Sequence, residues 1–330
     1  MSKTALVMFQ QGGQLKASVY KERQKLAEGT YDLNANCVNE LAALGRSADV
    51  VLCPGGCLRP LSGGIYALSA KALDDARTSK NGRSPYDAVM ICAAKTADAL
   101  GIPAYFTEAM SVDEMLPLNR VNSHAEVQKK SRGFRAEHMA AMYAAADGRM
   151  ENENYIAAYV DDFVSIGAYE RGRCLDINDC IGAEGPMGFT SSGDVPCAQL
   201  ANYFVKTDTD LSAMRRVLHE ESGLYQYLGT SDPGAVDALC RNDEKARTVV
   251  DSMVYQIAKW IGSSALVLKG DVKKIIFAGK GVACKYLTEA LEKKLSRIAP
   301  IVFVKDLPME LWLADQAALL GSCTVPIRKY

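Results

Sequence analysis

Cys53 and Cys57 bracket Pro54-Gly55-Gly56, a spacing that would supply half of a metal site. A second pair at ligand spacing is missing, since Cys174 and Cys180 lie six residues apart and the three histidines are isolated. The chain has ten cysteines, scattered from Cys37 to Cys323. Cysteine commonly packs as a small apolar residue, so buried thiols and no metal are the expectation. Asp161-Asp162 is the other local cluster: two adjacent carboxylates between two strand-like runs. Such a pair is either a binder of a cation or an amine, or a solvated hairpin tip where Asp favours the turn.

Lysine plus arginine (38) nearly balances aspartate plus glutamate (39), with no long run of one sign. A nucleic-acid groove or a polybasic membrane anchor needs concentrated positive charge, so neither is expected. No stretch approaches the length of apolar sequence that spans a bilayer, and the opening MSKTALVMFQQGG is too brief for a signal-peptide core. Reduced thiols and a cytoplasmic location follow as expectations. The 330 residues are 48% hydrophobic and 23% charged, a globular balance for a chain of about two domains.

The elements that must position these residues come in a repeated order. Residues 4–8 and 16–20 predict strands of an opening hairpin around Gln10-Gln11-Gly12-Gly13, and Asp32 is a candidate cap for a helix through Leu41 and Leu44. A buried strand at 50–53, a helix at 85–100 stopped by Gly101, a strand at 104–106 and a helix at 125–146 follow. The polar stretch 147–153 reads as a linker, dividing the chain into domains 1–150 and 151–330. The pattern then restarts with strands at 155–159, 164–169 and 173–177, and helices at 196–204, 211–220, 234–240 and 244–268. The last of these is long and apolar enough to lie between domains. Strands at 274–278 and 301–304 flank a helix at 284–295, and a helix at 309–320 closes the pattern. Strands first and strand-helix alternation afterwards, in each half, predict two related α/β domains around a cleft.

Several stretches together resemble butyrate kinase, of the acetate kinase, sugar kinase and actin superfamily. They are Pro54-Gly55-Gly56-Cys57-Leu58-Arg59-Pro60-Leu61-Ser62-Gly63-Gly64-Ile65-Tyr66, Val112-Asp113-Glu114-Met115, Ser165-Ile166-Gly167-Ala168 and Arg171-Gly172-Arg173. Gly182-Ala183-Glu184-Gly185-Pro186, Tyr227-Leu228-Gly229-Thr230-Ser231-Asp232, Tyr255-Gln256-Ile257-Ala258-Lys259 and Ile298-Ala299-Pro300 complete the set, in family order over essentially the whole chain. The resemblance implies two ribonuclease-H-like, acetate-kinase-type domains, with a closing segment at about 309–330 packing back on the first. It implies phosphoryl transfer between ATP with magnesium and a short-chain carboxylate, and dimerisation through the second domain.

The departures from the family pattern fall on the phosphate and metal machinery. The first family hairpin, Asn-Pro-Gly-Ser-Thr-Ser-Thr-Lys, is matched by Phe9 through Gly12, Gly13 and Lys16: the lysine survives, but Phe9 offers no oxygen to a hydrated magnesium ion. The second phosphate turn, His-Leu-Gly-Gly-Gly, is matched by Tyr159-Val160-Asp161-Asp162-Phe163. Glycines let backbone approach an anion, whereas two carboxylates repel a triphosphate at short range. Phe134 stands where the family has a helical histidine, and His138 nearby reads as structural. Ser191 stands where an arginine would neutralise the moving phosphoryl group. Gly279-Lys280 replaces a nucleotide-side Gly-Gly, and Glu310 is the match for a carboxylate near the metal.

The acyl side is better kept. Arg59, Pro60 and Asp113 match family positions near the acyl substrate, and Glu184 is retained. Arg59 is either a bidentate carboxylate holder or a fold-stabilising arginine at a turn. The sequence therefore predicts a butyrate-kinase homologue without standard kinase activity and without a required cofactor. Such a protein binds a small carboxylate or acyl compound, or serves as a subunit of a homodimer or a complex with another protein. The alternatives are a working carboxylate kinase that uses ATP with magnesium at an altered phosphate site, and different chemistry in the same cleft.

Overall fold

The computed structural model describes residues 3–34, 37–121, 124, 126, 128–146, 150–322 and 325–330. The chain divides into two compact units, Met1–Glu114 with Pro308–Tyr330, and Met115–Leu307.

In the first unit the run Thr4–Gln11 (β1) turns at Gly12 and Gly13 into Gln14–Lys21 (β2), and Gln24–Tyr31 (β3) pairs back on β2. Both turn glycines have positive φ, +57° and +80°, the conformation a two-residue hairpin loop requires. Cys37–Leu44 forms α1, which begins well beyond Asp32, so that residue is not its cap. Val50–Pro54 (β4), Ile65–Ala67 (β5), Ala70–Thr78 (α2), Pro85–Leu100 (α3) and Ala104–Thr107 (β6) follow. The sheet order is β3-β2-β1-β4-β6-β5, with β4 and β6 parallel to β1. α3 has both boundaries written into its sequence: Ser84 and Asp87 form a reciprocal capping box, Pro85 starts the helix, and Gly101 at φ +67° ends it.

The second unit opens with Pro117–Arg120 (α4) and Arg135–Ala145 (α5). Of the expected helix at 125–146, residues 125 and 127 lie outside the described residues, as do 147–149 of the expected linker. Asn154–Val160 (β7), Val164–Glu170 (β8) and Arg173–Ile177 (β9) form a meander. Cys197–Lys206 (α6), Leu211–His219 (α7), Gly223–Leu228 (α8), Pro233–Asn242 (α9) and Glu244–Val267 (α10) come next. Lys274–Ala278 (β10), Lys285–Leu295 (α11) and Ile301–Phe303 (β11) complete the unit. Its order, β9-β8-β7-β10-β11, repeats that of β3-β2-β1-β4-β6, so the two halves share one topology.

Strand alternation builds the core of the second unit. Ile156, Ala158 and Val160 face one cluster with Val250, Ile257 and Leu287 from α10 and α11; Tyr155 and Ala157 face another with Ala141 and Met142 of α5. A sheet covered on both faces is apolar nearly throughout, as β7 and β8 are. Because α5 packs against β7 and β10, it belongs to the second unit. The division therefore falls at Glu114 rather than near 150. α10 lies on the sheet of its own unit through Ala246, Val250, Met253, Ile257 and Ile261, and leaves Tyr255 and Leu266 exposed. The last helix, Met309–Ser322 (α12), returns to the first unit and packs on β1, β2 and β4 with Trp312 and Leu313 fully buried. No described helix is long and apolar enough to cross a membrane.

Burial lifts the Asp87 carboxyl to about 7, against the opposing pull of the Ser84 and Cys57 backbone N–H groups. A carboxyl whose pKa is raised by folding makes the native state bind more protons than the unfolded chain, so stability falls as pH rises from about 4 to about 7. Urea melts of the wild type should lose on the order of 2 kcal/mol between pH 5 and pH 8, less than the full shift would give without solvent screening. The Asp87→Asn variant should flatten that slope; an unchanged slope would remove Asp87 as its cause.

Candidate functional site

In the second unit, the turn between β7 and β8 carries Asp161 and Asp162, and the residue after β10 is Gly279. Gly279 has φ +94°, and a Cβ there would meet the Val160 carbonyl oxygen at 2.5 Å, so the chain passes the end of β7 only because the residue is glycine. That close passage delivers Lys280 to the carboxylates. Its backbone N–H donates to Asp161 Oδ2 at 3.1 Å. Its ammonium bonds Asp162 Oδ1, lies 3.9 Å from Asp161 Oδ1 and sits 5.0 Å from the centre of the Phe189 ring. One ammonium thus meets two carboxylates, and the group keeps an excess of negative charge.

The backbone around them is fully used. Phe189 N–H donates to the Asp161 carbonyl, and Ser191 N–H to that of Asp162, both at 3.0 Å. A Cβ on Gly188 would lie 2.1 Å from the Asp162 carbonyl oxygen, so this loop is seated tightly on the turn. Ser191 is buried in that seat, 4% exposed. Phe134 precedes α5, its N–H bonded to Ser165 Oγ at 3.1 Å and its ring 5.1 Å from that of Tyr159 and 6.2 Å from that of Phe163. Phe163 in turn meets the His219 ring at 5.2 Å. Burial first, and then the Asp161 and Glu137 charges, push the Tyr159 hydroxyl well above its usual range. His138 is buried, and burial pushes it down to about 3. The neutral ring donates from Nε2 to the Ser165 carbonyl (3.0 Å) and accepts the Tyr169 hydroxyl at Nδ1 (2.8 Å), a structural role.

Glu184 lies in the segment after β9. It accepts the Asp179 N–H at 2.7 Å and faces Lys129 at 3.6 Å, while Arg132 holds Asp179 bidentately. Burial raises the Glu184 carboxyl above its usual range, and the Lys129 charge opposes that rise.

In the first unit, the bridge Leu61–Val112 brings the Arg59-Pro60 segment beside Asp113, whose N–H donates to the Leu61 carbonyl at 2.8 Å. Arg59 Nε donates to Asp75 Oδ2 at 2.8 Å, and Tyr330 Oη donates to the same oxygen at 2.7 Å. Pro60 is exposed and Asp113 half-buried. Phe9 is buried in β1 opposite Lys16 of β2, whose ammonium donates to Thr30 Oγ1 at 2.8 Å. Glu310 of α12 accepts Lys25 Nζ at 2.7 Å and the Tyr20 hydroxyl at 3.3 Å.

Sequence reasoning missed Asp75, Tyr330, Phe189 and the pairing of Lys280 with both aspartates. Asp75 lies on the short, largely polar α2, and Tyr330 is 255 residues away from it, a distance no local pattern spans. Among the described residues no group of three or more His, Cys, Asp or Glu is placed to hold a metal ion. Nine cysteines are described, none of them in a disulfide, and of these only Cys197 is exposed. Chemically, the turns of the second unit present two carboxylates and the Phe189 ring around an ammonium they already hold. The first unit presents a guanidinium and a carboxylate on adjoining segments.

Residues 131–298 match the model of the acetokinase family. The chain is similar to a probable butyrate kinase of Enterococcus faecalis, 30% identical over 79% of this chain and 72% of the relative. It is likewise similar to butyrate kinase 1 of Clostridium acetobutylicum, 28% identical over 78% of this chain and 73% of that protein. In fold it is similar to the acetate kinase of Porphyromonas gingivalis, with a TM-score of 0.77 at 14% identity over 98% of this chain and 99% of that one. The architecture of two α/β units is therefore the acetate-kinase type.

Gly279→Ala tests the seat of Lys280. A Cβ at positive φ against the Val160 carbonyl should cost about 2 kcal/mol or more, read as a lowered urea midpoint. A midpoint equal to wild type would show that the chain does not need this close passage.

Proposed function

The chain belongs to the acetokinase family, and on that premise we propose that it is a butyrate-kinase-like protein that has lost ATP-dependent phosphoryl transfer. In this reading the first unit binds a small carboxylate or acyl compound. The observation that carries it is the grip of Asp161 and Asp162 on Lys280. Phosphoryl transfer depends on N–H donors and cations aimed at the migrating group. Here the turn offers two carboxylates, and the nearest ammonium is already bound to them. The N–H groups of Phe189 and Ser191 are bonded to the turn's own carbonyls. Ser191 is a buried neutral hydroxyl, and Phe134 and Tyr159 fill the adjoining space with rings. These residues do not fit a magnesium triphosphate, so no step is assigned to one.

The first unit supports the carboxylate half. Arg59 keeps its side chain 46% exposed while its orientation is held by Asp75, and Asp113 stands on the adjoining segment. A guanidinium held from one edge offers its other edge to a second carboxylate.

Calorimetry should show millimolar or weaker binding of magnesium-ATP. Purified protein given butyrate, ATP and hydroxylamine should form no acyl hydroxamate. Robust turnover abolished by Arg59→Ala would replace this reading with the working carboxylate kinase. Replacing both Asp161 and Asp162 with Gly frees Lys280 and removes two like charges, each worth about 1 kcal/mol at short range in a partly screened site. That variant should bind ATP measurably more tightly and stay catalytically silent, because Phe9, Phe134 and Ser191 are unchanged. Unaltered affinity would mean that the ion pair is not the obstacle.

Assembly belongs to the same proposal. The exposed Tyr255 and Leu266 lie on α10, away from the face it buries, and a partner there would cover them. Light scattering at micromolar concentration should report a homodimer or a larger complex. A stable monomer would count against it.

A further inference from the structure

Arg59 sits in a lock whose other parts lie far away in sequence. Asp75 of α2 is 1% exposed and bonds Arg59 through Nε to Oδ2 at 2.8 Å and through Nη2 to Oδ1 at 3.4 Å. Tyr330 completes the lock with one hydroxyl used twice: it donates to Asp75 Oδ2 at 2.7 Å and accepts the Arg59 backbone N–H at 2.8 Å. Burial pushes the Tyr330 hydroxyl up to about 12, so it keeps the proton it donates. Burial would lift the Asp75 carboxyl, but the Tyr330 hydrogen bond and the Arg59 guanidinium outweigh it and hold the group below the usual carboxylate range.

The tail that carries Tyr330 is itself fastened. Arg328 pairs with Tyr66 of β5 through Ala67 N–H to its carbonyl (3.2 Å) and its own N–H to the Ile65 carbonyl (2.9 Å). The Tyr330 ring meets Phe106 edge-on at 6.2 Å, and Lys71 Nζ lies 5.7 Å from its centre. The segment after Arg59 is fixed as well, by Gly63 N–H to Glu114 and Gly64 N–H to Glu108.

A guanidinium has five N–H donors in a rigid fork. Asp75 takes the Nε–Nη2 edge, and among the described residues none bonds Nη1. The Arg59 side chain is 46% exposed while that of Asp75 is 2% exposed, so a ligand has room to approach the guanidinium. We infer that Asp75 and Tyr330 are positioning residues for Arg59, holding its fork as a preformed receptor for the carboxylate of a small acid. The inference rests on the proposed carboxylate-binding reading and adds to it two residues that do not themselves touch the ligand. Preorganisation of this kind strengthens binding because the ligand need not order the side chain.

Sodium butyrate, titrated by NMR into wild type, Arg59→Ala, Tyr330→Phe and Asp75→Asn, separates the possibilities. Tyr330→Phe keeps the ring and its packing and removes only the shared hydroxyl. It should weaken butyrate about tenfold, the effect of one hydrogen bond to a charged group, while the thermal midpoint falls by no more than a few degrees. In the same variant the Arg59 amide should exchange with solvent about tenfold faster or more. Asp75→Asn should weaken butyrate further; if it fails to fold, Tyr330→Phe decides alone. Loss of binding in Arg59→Ala with wild-type affinity in Tyr330→Phe overturns the positioning inference and leaves the carboxylate reading standing. Absence of butyrate binding by wild type, or wild-type affinity in Arg59→Ala, overturns the carboxylate reading and the receptor with it.

Discussion

Lys280 bonds Asp162 through its ammonium and donates its backbone N–H to the Asp161 carboxylate, and the second unit's loops are arranged around that ion group. The turn after β7 hands its two carbonyls to the 188–191 loop, its two carboxylates to Lys280, and its flanking rings to Phe134 and His219. An exposed ion pair contributes little to stability, about 0–1 kcal/mol. This one is half-shielded, and the cost of undoing it falls on whichever charge is left behind. An incoming anion would have to compete with both aspartates for Lys280. The electrostatic sign of the turn is set by that competition, which the intramolecular partner enters with no loss of translational freedom.

The same economy runs through the rest of the molecule. Lys16 bonds Thr30, Glu310 bonds Lys25 and Tyr20, Glu184 accepts from Asp179, and Arg59 is held by Asp75. Each of these family-matched charged side chains has a partner inside its own unit. They differ in what is left over. Lys16 and Lys280 present a single ammonium already engaged, whereas the Arg59 fork has more donors than Asp75 can accept. That difference in valence separates Arg59 from the two lysines.

The two sheets were legible because their signals are local. The short, largely apolar runs of β7 and β8, the paired glycines of the first hairpin and the Ser84-Pro85-Asp87 start of α3 each act within a few residues. The edge strand β3 escaped because its burial alternates weakly and its sequence is polar; β5 and α8 are too short to carry a period. The boundary near 150 was misjudged because a polar stretch marks a surface loop as readily as a domain junction. What assigns α5 to the second unit is packing of Ala141, Met142 and Ala145 on Tyr155 and Ile276, which no composition shift announces.

At the candidate site, residue types alone determined which side chains can offer an oxygen or a positive charge. Side-chain chemistry decides that, independent of geometry: a phenyl ring offers no oxygen to a metal and a serine no positive charge. Only the tertiary structure decided where the remaining charges go. Asp161 and Lys280 are 119 residues apart, and Arg59 and Tyr330 are 271 apart. Lys280 meets its carboxylates because β10 lies parallel beside β7 and Gly279 lets the chain pass its end; Tyr330 reaches Arg59 because the chain returns along β5. Pairings of that kind depend on strand order, and strand order is a property of the assembled sheet, invisible to any window along the chain.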